Sequence, residues 1–283
     1  MELGIVFGIG SALAFGAGDF TGGTASRRLP ALAVAAGAQV VGLVGILAVL
    51  LISGAPAPHV GALWIGATAG LAGGLGLAAL YRGLSMGSMG IVTALSGVGS
   101  VVIPLVVGAL LGASVTGLQL VGVGFAALAA TAASGATLSG GMRGDALRLA
   151  AIAGISFGAW FVLLDLAAEG DALWALVASR ASSSVLVTAV AIVVGTRISP
   201  EARGSTMPLL GLIALAGVLD VAGNGLFVLA RGEIAVGLAA AMSGVYPLVT
   251  MVLARAVGGE ELPPLGLLGV LLAVIGIVLI SLG

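Results

Sequence analysis

Long apolar segments alternate with short breaks along almost the whole chain. Nine breaks rich in glycine, proline, serine or charged residues separate ten apolar segments, at 3–24, 31–52, 61–81, 88–111, 117–138, 146–167, 172–195, 206–230, 234–256 and 264–282. Each segment approximates the roughly 20 residues with which an α-helix crosses about 30 Å of hydrocarbon. A helix also satisfies its own backbone hydrogen bonds in lipid. The pattern therefore predicts an all-α polytopic membrane protein with ten transmembrane helices.

Composition strengthens this prediction and excludes several functions. Of the 283 residues, 60% are hydrophobic and only 7% are charged, whereas a soluble domain is about a quarter charged. Lipid must therefore solvate most of the surface. The net charge of −1 and the lack of a basic patch give no support for nucleic-acid binding. The chain has no Cys and one His, so we predict no metal site and no cofactor.

Short matches indicate that the chain contains an internal duplication. The segment AFGAGDF (14–20) aligns with SFGAWFV (156–162), and GIVTALSGV (90–98) aligns with GLAAAMSGV (237–245). We predict two five-helix repeats, at 1–138 and 139–283. Because five is odd, the second repeat enters the membrane inverted. Inverted repeats are typical of secondary transporters, whose substrate site lies near the membrane midplane between the halves.

Arginines are distributed unevenly between the two sides of the predicted membrane. One side carries Arg27, Arg28, Arg82, Arg143, Arg148, Arg197, Arg203 and Arg255, and the other carries Arg231 with Glu169, Asp171 and Glu233. Since cytoplasmic loops are enriched in arginine, this distribution predicts that both termini lie outside the cytoplasm.

Arg180 lies about nine residues into the seventh span, and its position in the repeat corresponds to Gln39 in the second span. An ionisable side chain costs roughly 2.5–3.5 kcal/mol at the membrane centre, so it usually faces a cavity or a partner. Arg180 is either a structural residue bound to backbone carbonyls or a lining residue of a substrate cavity.

The eighth span carries Asp220 and Asn224, four residues apart and thus on one helix face. A carboxylate in such an environment can exchange a proton near neutral pH, so Asp220 is a candidate for proton coupling. The alternative is an Asp–Asn pair that joins neighbouring helices.

Serine, threonine and proline cluster at related positions of the fourth and ninth spans. The clusters are Thr93, Ser96, Ser100 and Pro104, and Ser243, Tyr246, Pro247 and Thr250. Proline frees a backbone carbonyl, so both spans could be broken at a binding site or merely kinked where they pack. Gly66, Gly70, Gly74, Gly154 and Gly158 are expected at close helix contacts, and the apolar tenth span is expected to face lipid.

Asp19 follows the Gly-x-Gly pattern of intramembrane aspartyl proteases. Those enzymes need a second aspartate that shares a proton with the first, and the Tyr-Asp partner motif is absent from this sequence. We expect Asp19 to contact substrate or a gate near the cytoplasmic side, or to be solvated at a helix end.

Several local segments together resemble the EamA-type branch of the drug/metabolite transporter superfamily. They are FGAGDF…SRRLPA, ALYRGL, GVYPLVT and GGEELPPLGLLGVLLAVIGIVLIS. The resemblance implies a plasma-membrane carrier with a central cavity lined by Asp19, Gln39, Ser96, Arg180, Asp220, Asn224, Ser243 and Tyr246. Departures are Gln39, where members often have Arg, and Gly259-Glu260-Glu261, where they have Gly-Glu-Arg. Members are also commonly drawn with cytoplasmic termini.

The sequence thus predicts a secondary active transporter rather than an enzyme. It would sit in a bacterial inner membrane and export a small polar metabolite, such as an amino acid or a toxic compound, by alternating access, with proton coupling as an open possibility. The alternatives are a passive facilitator and a membrane scaffold that does not transport. The sequence leaves the oligomeric state open.

Overall fold

The computed structural model describes residues 2–138, 144–167, 171–196, 206–234 and 236–283, without the side chains of 134–138, 206, 207, 231, 236 and 237. Regular structure in these ranges is entirely helical, as predicted. We number the helices α1 (Glu2–Ser26), α2 (Ala31–Ser53), α3 (Val60–Met86), α4 (Met89–Leu110), α5 (Gly117–Leu138), α6 (Gly144–Ala167), α7 (Ala172–Val193), α8 (Thr206–Glu233), α9 (Val236–Ser243), α10 (Tyr246–Ala256) and α11 (Pro264–Leu282).

Within the described ranges, nine segments are long and apolar enough to cross a membrane, with Leu238–Ala256 counted as one. In α5 the apolar stretch Gly117–Ala133 is shorter. The chain is therefore a multi-pass membrane protein, while the tenth crossing stays a prediction. The α3 helix runs to Met86 and α8 to Glu233, so the segments containing Arg82 and Arg231, taken as breaks from the sequence, are helical.

The ninth predicted span is broken and the fourth is continuous. Helix α9 ends at Ser243 and α10 begins at Tyr246, with Pro247 in the first turn of α10. Pro247 has no N–H to donate to the Ser243 carbonyl, so α9 cannot continue past this point. In α4 the residue aligned with Pro247 is Ser100, which keeps its N–H, and Pro104 lies inside an unbroken helix. The prediction of matching breaks in both halves was therefore wrong for the fourth span.

Glycines allow close contacts between helices from different halves. Gly66, Gly70 and Gly74 of α3 face Ala175, Ser179 and Ser183 of α7, with four-residue spacing on both helices. Gly154 of α6 lies against Gly99 of α4. With no hydrophobic drive between helices in lipid, such backbone approach supplies much of the packing energy. The predicted glycine contacts are confirmed.

Helix α11 does not merely face lipid, which corrects the prediction for the tenth span. It packs along α5 and α4 and buries one face, including Gly269, Val270 and Ala273. A helix that is apolar all round gives no sequence signal for which face is buried.

Candidate functional site

The polar residues of the second, seventh and eighth spans meet inside the helix bundle. Arg180 of α7 forms an ion pair with the Asp220 carboxylate of α8. The same Nη1 atom donates a hydrogen bond of 2.7 Å to Oε1 of Gln39 on α2. Gln39 is 3% exposed, and 12% of the Arg180 side chain and 30% of the Asp220 side chain are exposed. We call these three residues the central polar cluster.

The ion pair explains how Arg180 is tolerated so far from the ends of α7. It lies eight residues after the first residue of this 22-residue helix, so its side chain cannot easily reach water at either end. An oppositely charged carboxylate and an amide oxygen replace the lost hydration. The structure therefore pairs Arg180 with side chains rather than with backbone carbonyls.

Asn224 does not bridge helices. Its Nδ2 donates a 2.7 Å hydrogen bond to the backbone carbonyl of Asp220, one turn earlier on α8. Ser183 likewise bonds to the Arg180 carbonyl of its own helix. Asn224 is next to the central polar cluster, and its second N–H and its carbonyl oxygen form no other hydrogen bond within the described residues.

Ser96, Ser243 and Tyr246 lie around the break between α9 and α10. The Tyr246 hydroxyl donates to the Thr93 carbonyl of α4 at 3.4 Å, and the Ser96 hydroxyl donates to the same carbonyl at 3.0 Å. The Ser243 Oγ is buried and has no hydrogen-bond partner within the described residues. The break thus places Tyr246 against α4 and leaves one buried hydroxyl unpaired.

Asp19 lies beside the central polar cluster, on α1. It is half-buried, and its chain neighbour Gly18 packs against Leu219 and the Asp220 backbone of α8. Helix α1 continues for seven residues beyond it, to Ser26, or about 10 Å at 1.5 Å per residue. Asp19 is therefore well inside the helix and not at its solvated end.

Both tyrosines of the chain are near Asp19. The Tyr81 ring packs directly on Gly22, one turn after Asp19. Phe15, one turn before Asp19, makes an edge-to-face contact with Tyr246, with ring centroids 6.3 Å apart. Tyr81 was assigned no role from the sequence, which predicted it as the last residue of the third span.

Polar contacts also join the two halves at each end of the bundle. At one end the Glu260 carboxylate accepts from the Arg27 guanidinium at 2.8 Å and from the Met89 backbone N–H at 2.9 Å. At the other end Asp171 accepts from the His59 backbone N–H at 3.2 Å. The predicted orientation places Glu260 on the cytoplasmic side. Arg143, Arg197, Arg203 and Glu169, also used for that orientation, lie outside the described residues.

Sequence comparison finds a family match in the second half of the chain. A search of curated proteins gives no match. Residues 146–282 match the EamA-like transporter family, a stretch that includes Arg180, Asp220 and Tyr246. This match covers just under half of the chain, is consistent with the drug/metabolite transporter superfamily and suggests a membrane transporter of that type.

Proposed function

We propose that the protein is a secondary active transporter that exports a small polar metabolite, such as an amino acid or a toxic compound, by alternating access across a bacterial inner membrane. The observation that carries this proposal is the central polar cluster. It places a guanidinium and a carboxylate from the second half against a glutamine from the first half, within membrane-spanning helices. Ionisable residues are energetically costly inside a membrane, and those that occur there are typical of transport pathways.

The helix pairing supports two structurally related halves. Helix α1, the first span of the first half, packs mainly against α8, the third span of the second half. Helix α6, the first span of the second half, packs mainly against α3, the third span of the first half. Exchange of the halves therefore converts one pair into the other, as expected for an inverted repeat around a central site.

We assign a switching role to the Arg180–Asp220 pair. The Asp220 carboxylate releases its proton when substrate arrives and takes up a proton after substrate has left, so proton entry can drive substrate export. Arg180 holds an anionic group of the substrate. Ser96, Ser243 and Tyr246 orient the remaining substrate, and a rocking motion of the halves exposes the site to each side in turn.

The geometry differs from that of an aspartyl protease. Asp19 and Asp220 do lie near each other on facing helices, but the Asp220 carboxylate forms an ion pair with Arg180. A protease dyad instead shares one proton between its two carboxyl groups. A carrier role for both aspartates fits the surroundings better.

The test is substrate flux in proteoliposomes with an imposed pH gradient. A growth-protection screen with toxic metabolites supplies the substrate. We expect the wild-type flux to respond to the gradient and Asp220→Asn to lose that response. Asp165→Asn is the matched control, because Asp165 is exposed on α6 and should behave as wild type. Full pH-driven flux in Asp220→Asn contradicts the assigned role, and flux without accumulation indicates a passive facilitator.

A further inference from the structure

The charges around the central polar cluster do not balance. Asp19 and Asp220 contribute two carboxylates and Arg180 contributes one guanidinium. Arg180 is committed to Asp220 and Gln39. Asp19 forms no ion pair and no hydrogen bond within the described residues, and its chain neighbour Gly18 packs against the backbone at Asp220. The site therefore has one acidic group without a positive partner.

Aromatic rings flank this acidic residue along α1. Phe15 lies one turn before Asp19 on α1 and contacts Tyr246. Tyr81 covers Gly22, one turn after Asp19. The glycine at position 22 is what allows this approach, because any Cβ there would collide with the Tyr81 ring. Three of the 12 aromatic residues in the chain are thus placed at the helical turns before and after Asp19.

We propose that Asp19, Phe15, Tyr81 and Tyr246 form a binding site for the positively charged nitrogen of the transported compound. A carboxylate supplies the opposite charge, and the faces of aromatic rings attract ammonium groups through their quadrupole moments. In a medium of low dielectric constant both attractions are stronger than in water. The transported compound is therefore an organic cation or carries an ammonium group. This inference rests on the proposed transport function and narrows its substrate class.

The site also gives the buried Tyr81 ring a function. Tyr81 is 2% exposed, so its ring is turned into the protein, where it can contact an ammonium group. Arg180 contacts Asp220 and Gln39 through Nη1, and its other N–H groups can bind an anionic group of the same substrate.

The test compares three compounds of similar size and different charge. Phenethylamine is a cation, 2-phenylethanol is neutral and phenylacetate is an anion at pH 7. Binding to the full-length protein in detergent is measured by isothermal titration calorimetry, which does not depend on transport. We expect phenethylamine to bind about tenfold or more tightly than 2-phenylethanol, as a carboxylate plus aromatic contacts would give.

Substitutions test whether the preference for the amine over the alcohol comes from the site around Asp19. Asp19→Asn should weaken phenethylamine binding about tenfold and leave 2-phenylethanol binding unchanged, while Asp165→Asn should change neither. Tyr81→Leu should weaken amine binding and Tyr81→Phe should retain it, since the ring and not the hydroxyl contacts the cation. If Asp19→Asn does not fold, the comparison of Tyr81→Leu with Tyr81→Phe and the binding of the three compounds to the wild-type protein still test the inference.

Three results would overturn the inference: no binding of phenethylamine, equal affinity for the amine and the alcohol, or unchanged amine affinity in a folded Asp19→Asn variant. Any of them leaves the transport proposal intact if pH-driven flux is observed. Absence of flux together with charge-selective binding would instead overturn the transport proposal and retain the cation site.

Discussion

Gln39 of α2 accepts a 2.7 Å hydrogen bond from Arg180 of α7, and the predicted repeat places the counterpart of Arg180 near Gln39. Equivalent residues of an inverted repeat can touch only close to the pseudo-two-fold axis that relates the halves. A contact of this kind is therefore expected near the axis of the predicted repeat. It also gives a reason for the asymmetry of the pair, because two arginines at that distance would repel each other.

Substitution of one residue of the Arg180–Asp220 pair should destabilise the protein more than substitution of both. Arg180→Gln leaves the Asp220 carboxylate without its counter-charge, and we expect a loss of about 2–3 kcal/mol, below the cost for a fully buried pair because Asp220 is 30% exposed. The double variant Arg180→Gln/Asp220→Asn should recover most of that stability, since no isolated charge remains. Thermal unfolding in detergent measures both quantities.

Transport by the same variants separates stability from function. We expect neither the single nor the double variant to transport with a pH gradient, because the switching pair is gone. A double variant as unstable as the single one would show that the two side chains are not coupled.

The contact between Gly99 and Gly154 should tolerate no side chain. A Cβ at Gly154 would lie 2.9 Å from the Gly99 Cα and 3.0 Å from the Ser96 carbonyl oxygen. Both are backbone atoms that cannot move aside individually, so Gly154→Ala should destabilise the protein by about 1–3 kcal/mol. Thermal melting in detergent checks this value.

Gly124→Ala is the matched control for this substitution. Gly124 is in the middle of α5, and a Cβ added there would have no atom within 4 Å. Alanine at this position should therefore be neutral or stabilise the protein by up to about 1 kcal/mol through its higher helix propensity. Equal melting temperatures for the two variants would contradict the close contact of α4 and α6.

Sequence patterns predicted the helices better than their contacts. Lipid requires continuous apolar helices, so hydropathy alone located the spans, and arginine and aspartate stood out in them because such residues are rare there. Asp19, Arg180 and Asp220 were therefore singled out as candidate site residues, but the sequence could not show that Arg180 would contact Asp220 and Gln39. Which side chains meet depends on how each helix is rotated about its own axis. An apolar helix such as α11 has no polar face from which this rotation could be predicted.

Two errors have specific physical causes. The third span was predicted to end at Tyr81, just before Arg82, whereas the helix runs to Met86; an arginine near a helix end can extend its charge to the interface. The break expected in α4 was inferred from Pro104, whereas the break in the other half depends on Pro247, three residues after Ser243-Gly244. The position of a proline relative to its helix matters more than its presence.

Glu260 should hold the C-terminal end of α1 and the N-terminal end of α4 together. It binds the Arg27 guanidinium and the first N–H of α4, a role comparable to helix N-capping. Glu260→Ala should lower the free energy of unfolding by about 1–2 kcal/mol, and Glu260→Gln by less, because an amide oxygen still accepts from Met89. Glu261→Ala, at the adjacent exposed position, should change it by less than about 0.5 kcal/mol.

The orientation in the membrane can be tested on a chain that contains no cysteine, so single cysteines can be introduced without removing others. Ala57 lies between α2 and α3, and Ala256 lies at the end of α10; both are exposed. The arginine distribution predicts that Ala57 is outside the cell and Ala256 is cytoplasmic. A membrane-impermeant maleimide should therefore label Ala57→Cys in intact cells and Ala256→Cys only after permeabilisation. The reverse pattern would place both termini in the cytoplasm, as in the commonly drawn family topology. It would also put the Arg27–Glu260 contact on the outer surface, so Asp19 would then be reached from outside the cell rather than from the cytoplasm.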